Sequence, residues 1–75
     1  MLNMNRFLMG LKGNEVIIKL KIGKIKCIID DVGHDGTLKV SHVKIIETND
    51  ETLREWEDKE GVVIRKDSVV AVFLE

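Results

Sequence analysis

Arg65-Lys66-Asp67, His34-Asp35 and the lysines at 19, 21, 24 and 26 are the residues of this 75-residue chain best suited to holding an anionic partner. Guanidinium and imidazole planes stack on any nucleobase, and ammonium groups meet phosphate. Each feature also has a plainer reading. Arg65 and Lys66 stand before a turn, where charges are commonly just solvated. His34 and Asp35 are two metal ligands without a third, which leaves a turn histidine rather than a zinc site. The lysine row along a hairpin reads as a solvated strand face. Ser41-His42 sets a hydroxyl beside a base, but neither an acidic orienter nor a Gly-rich elbow accompanies it in the sequence, so His42 reads as a strand-face histidine. Trp56 lies among acids that repel phosphate, and packing against Leu53 or a neighbouring subunit suits it better than base stacking. With no Gly-rich phosphate loop and no convincing pair of catalytic carboxylates, the chain does not read as an enzyme, and no cofactor is expected.

Length and composition bound what can position these residues. Seventy-five residues, 44% of them hydrophobic and none Pro, make one domain spanning 1–75. A core this small supplies roughly 3–5 kcal/mol and usually needs a further staple. Cys27 is the only cysteine, so no disulfide within the chain is available, which suits a reducing compartment and leaves self-association as the staple. Met1 to Leu11 has neither the continuous apolar run nor the cleavage site of a signal peptide or membrane span, and a cytoplasmic location is expected. The formal net charge is −1, but its distribution is uneven: residues 1–26 carry six basic side chains against Glu15 alone, whereas residues 47–60 carry seven acids. One face can therefore be basic on a nearly neutral molecule.

The hydropathy pattern predicts a short helix over about residues 3–11, with Asn3 or Asn5 as cap and Gly10 or Gly13 as stop. Val16, Ile18, Leu20 and Ile22 alternate with Lys19 and Lys21, giving a strand over 15–22. Gly23 opens a tight hairpin into a second strand over 24–32, in which Ile25, Cys27 and Ile29 share a face. A third strand covers 37–47, and its apolar phase slips between Val40 and Val43, as at a bulge or sharp bend. Residues 48–60 form a charged variable loop anchored by Leu53 and Trp56, either one or two helical turns or a solvated hairpin tip, with helix the reading adopted. Two β-branched runs at 61–65 and 69–74 complete five strands. Strands this apolar leave too much exposed in a flat sheet, so a mainly β fold is expected, a short N-terminal helix followed by a strongly bent five-stranded antiparallel small barrel. Val69 to Leu74 is apolar on both faces, and a second copy of the chain is the economical cover for it.

The string Gly61-Val62-Val63-Ile64-Arg65-Lys66-Asp67-Ser68-Val69-Val70-Ala71-Val72 resembles the second motif of Sm-like (Lsm) proteins, an apolar strand leading to Arg-Gly-Asp/Asn and a second apolar strand. Val16 to Lys24 is similar to the opening of the family's first motif, and Thr37-Leu38-Lys39-Val40 to its end. The resemblance runs from about Gly10 to Phe73. It implies the Sm-like fold, a homo-oligomeric ring of roughly five to eight copies, and single-stranded RNA held at a central pore in a scaffold or chaperone role. The pore-lining candidates are then His34, Asp35 and Thr37 from one loop and Arg65, Lys66 and Asp67 from the other. Arg65 would stack on or cap a base, His34 would flank it, and Asp67 would tie the two loops through backbone amides. Two departures bear on base specificity rather than fold: Lys66 stands where the family prefers Gly, and Thr37 where it carries the Asn that reads a uracil edge. Thr37 and Gly33 favour a rival from another class, a structural or adaptor ring without base-specific RNA binding, whereas Arg65 and Asp67 favour RNA binding.

Overall fold

The computed structural model describes residues 4–57 and 59–74. In chain order the elements are α1 (Met4–Gly10), β1 (Glu15–Leu20), β2 (Gly23–Val32), β3 (Thr37–Thr48), α2 (Glu51–Arg54), β4 (Val62–Arg65), a 3-10 turn (Lys66–Ser68) and β5 (Val69–Leu74). Helix α1 buries Leu8 completely while Phe7 and Met9 stay on its outer side. Its exit is fixed by Gly13, at φ 86, whose amide donates to the Ile29 carbonyl at 2.7 Å. Of the two caps expected for this helix, Asn3 lies outside the described residues and Asn5 falls within the helix instead of before it.

The first hairpin turns two residues earlier than the alternation predicts. Leu20 pairs with Gly23, leaving Lys21 and Ile22 as a two-residue loop. Gly23 is required for space as well as conformation: at φ 157, a Cβ there would run into the Glu47 carbonyl oxygen and come to 2.6 Å from the Leu53 Cδ2 atom. The phase slip in β3 is a bulge. Ile28 faces Ser41 and Lys26 faces Lys44, so Cys27 stands opposite both His42 and Val43. His42 takes the extra position with φ 54, the sole positive value on a non-glycine among the described residues. A complementary slip on β2 sets Ile29 against Val40 and Asp31 against Lys39, with Asp30 as the extra residue.

All pairings are antiparallel, in the order β4-β3-β2-β1-β5. β4 and β5 therefore stand at the two ends of an open sheet. The closed barrel expected from the sequence is not formed by strand pairing within one chain. One face of the sheet carries the core, with Val16, Ile18, Ile25, Cys27, Ile29, Leu38 and Val40 fully buried, and α1 and α2 add Leu8 and Leu53 to it. The charged stretch after β3 does form a helix, but of a single turn. Asp50 caps it by accepting from the Thr52 amide at 2.7 Å, and Trp56 packs half-buried beside the core. No helix among the described residues is long and apolar enough to cross a membrane.

Candidate functional site

Two connections meet at one end of the sheet, the loop from β2 to β3 and the turn from β4 to β5. The meeting follows from register, since Thr37, first residue of β3, lies opposite Arg65, last residue of β4. Inside the first loop the Gly33 amide donates to the Thr37 carbonyl at 2.9 Å. Asp35 Oδ1 accepts from both the Thr37 amide at 3.2 Å and the Thr37 hydroxyl at 2.5 Å. These two bonds, the hydroxyl first, hold the Asp35 carboxyl below its ordinary pKa, and the nearby Lys66 charge adds to them. A Cβ on Gly33 would come within 2.5 Å of Asp35 Oδ1 and 2.7 Å of the Thr37 hydroxyl oxygen, so a side chain there would displace the Asp35–Thr37 pair. Gly36 closes the loop with φ 86.

Lys66 joins the two connections. Its amide donates to the Gly36 carbonyl at 2.9 Å, and its ammonium donates to the Gly33 carbonyl. Asp67 was expected to supply this tie and does not. Its Oδ2 accepts from Arg65 Nη2 at 3.1 Å, with both side chains exposed to solvent. A charged guanidinium two residues away is a stronger donor than a neutral amide, so it captures the carboxylate. His34 is exposed at the loop tip.

All six residues singled out in the sequence thus lie on one rim. Arg65 and Lys66 balance Asp35 and Asp67 in formal charge, so the rim does not attract phosphate by net charge. What it offers is shape: an exposed guanidinium plane steadied by Asp67, an exposed imidazole on the adjoining loop, and a loop with a fixed backbone. Such a surface suits base stacking, which does not depend on net charge.

A second polar chain lies away from the rim. The buried Ser41 hydroxyl donates to Asp30 Oδ1 at 2.9 Å, and His42 Nδ1 stands 3.2 Å from the same hydroxyl oxygen. An acid therefore does accompany the Ser-His pair, though it sits on the serine. With the hydroxyl proton directed to Asp30, the Oγ lone pairs face Nδ1, and the contact is a hydrogen bond in the tautomer that carries its hydrogen on Nδ1. The chain braces the two adjacent bulges rather than activating a nucleophile. Among the described residues, no group of three or more His, Cys, Asp or Glu side chains is placed to hold a metal. Cys27 is fully buried, and desolvation first, with the Asp30 and Glu15 charges adding, pushes its thiol pKa up to about 12.

Sequence reasoning missed the Lys66 clamp and the role of Asp30. Both act across strands between residues far apart in the chain, and no local pattern encodes them. No protein-family profile and no curated protein matches this chain.

Proposed function

We propose that the chain is an Sm-like subunit that assembles into a homo-oligomeric ring and binds single-stranded RNA at a central pore, without bond chemistry of its own. The observation that carries this reading is the junction of the β2–β3 loop with the β4–β5 turn at one rim, which sets Thr37 opposite Arg65 with His34 exposed in the same loop as Thr37. Repeated around a ring of roughly five to eight copies, one weak stacking contact per subunit becomes useful avidity.

Assembly has its own support. The β4 and β5 strands end the sheet, and each exposes apolar side chains: Val63, on the same strand as the charged Arg65, is 58% exposed on β4, and Val70, Phe73 and Leu74 are 55%, 47% and 66% exposed on β5. The β5 edge, unpaired and without a charged residue, is of the kind that joins another strand. Pairing the β5 edge of one copy with the β4 edge of the next covers both and completes the bent small barrel between neighbours. The lone buried thiol suits the reducing cytoplasm.

A second reading, a structural or adaptor ring without base-specific binding, is favoured by Thr37. Its hydroxyl proton is already committed to Asp35, so it has none to offer a base edge. Fluorescence anisotropy with labelled oligo-uridine separates the two. RNA binding predicts an affinity that falls in Arg65→Ala by roughly tenfold or more, in line with about 1–3 kcal/mol per stacked base. Absence of binding at low salt would establish the adaptor reading instead.

A further inference from the structure

We propose that the outer face of the sheet, opposite the core, is a second binding surface: a sequence-independent track for the phosphates of single-stranded RNA, separate from the loop rim. The lysine row noticed in the hairpin does not stay a row in the fold. Lys19 lies directly opposite Lys24, and Lys26 directly opposite Lys44, so two like-charged cross-strand pairs occupy neighbouring positions on β1, β2 and β3. Lys21 is left out, in the hairpin loop. The strand alternation turns these four lysines away from the core, since Ile18, Ile25, Cys27 and Val43 face inward.

Apolar surface is interleaved with the charge. Ile17 lies between Lys26 on β2 and Phe73 on β5, and the Lys24 ammonium stands 6.0 Å from the centre of the Phe73 ring. The acids on this face are Glu15, 3.5 Å from Lys26, Glu47, opposite Lys24, and Asp30, bonded to Ser41 beyond Ile28, three against the four lysines. The face therefore carries a net positive charge on a molecule whose total is −1. Like charges directly opposite on a sheet destabilise it, and a bound polyanion relieves that repulsion. Cations aligned to meet successive phosphates are the elements of a track that follows a single strand without reading it.

The test uses full-length protein carrying Arg65→Ala, which removes rim stacking, and a labelled mixed-sequence single-stranded RNA titrated at several salt concentrations. Binding should persist and weaken steeply with salt. Adding Lys24→Gln and Lys44→Gln should lower the slope of log K against log salt by about 1.4, since each lost phosphate contact on a single strand accounts for about 0.7, or roughly 25-fold in affinity near 0.1 M salt. Without RNA the same two changes should raise the melting temperature, because they remove the facing charges. Lys19→Gln alone, a single exposed substitution, serves as the milder variant and should act in the same direction on both readouts. No binding in the Arg65→Ala background, or binding indifferent to the lysine changes, overturns the track while leaving rim binding to stand or fall by its own titration.

Discussion

Lys66 reaches the β2–β3 loop twice, through its backbone amide and through its ammonium, and so holds two connections as one body. Asp35 fixes the inside of the same loop, and its lowered pKa keeps it ionised there below the usual carboxylate range. Cys27 shows how burial alone sets reactivity. Its thiol, raised from 9.0 to about 12, stays protonated in the folded chain at pH values where an unfolded chain has already lost the proton. The folded state then binds more protons, so the contribution of Cys27 to stability is complete below about pH 9 and lost as pH rises toward about 12. Denaturant titrations from about pH 8 to pH 10 should show stability falling more steeply for the native sequence than for Cys27→Ala, and equal slopes would contradict the assignment. The burial of Cys27 was legible, because it alternates with Ile25 and Ile29 on one strand face. The partner of Asp67 was not, because competition between donors is decided by how the turn places Arg65.

At the scale of elements, the one-turn helix α2 owes its existence to its contacts more than to its length. A four-residue helix is too short to persist alone, and this one is held by the Asp50 cap and by Leu53, buried completely where β2 begins. Leu53→Ala should cost about 2–5 kcal/mol in urea denaturation, as deletion of a fully buried leucine does. Asp50→Ala should cost about 1 kcal/mol, the value of a lost cap. A Leu53 effect no larger than the cap effect would mean that α2 is an appendage rather than part of the core. Most strands were legible from their period of two, and the bulge in β3 from its slip between Val40 and Val43. The matching slip on β2, from Ile29 to Val32, was equally visible but means little until β3 is placed beside it. The end of β1 was misplaced for a different reason: Ile22 continues the apolar alternation, yet the turn is set by where Gly23 can fit against Glu47 and Leu53.

The whole molecule is an open antiparallel sheet with one covered face, two unpaired edges and charge sorted by region. Strand order and the joining of the two loops arise from long-range register, so the sequence conveyed the parts of the rim without conveying what locks them together. Five apolar strands need cover, and the fold meets that need only in part, leaving the outer edges of β4 and β5 unpaired and Val63, Val70, Phe73 and Leu74 exposed. The reading advanced for this protein therefore depends on a second copy at each edge. Native mass spectrometry of the full-length chain at micromolar concentration tests this most directly. It should give a single closed assembly of roughly five to eight chains that Val70→Lys, at the exposed β5 edge, breaks down. A stable, folded monomer of the native sequence, or an assembly indifferent to Val70→Lys, would contradict it.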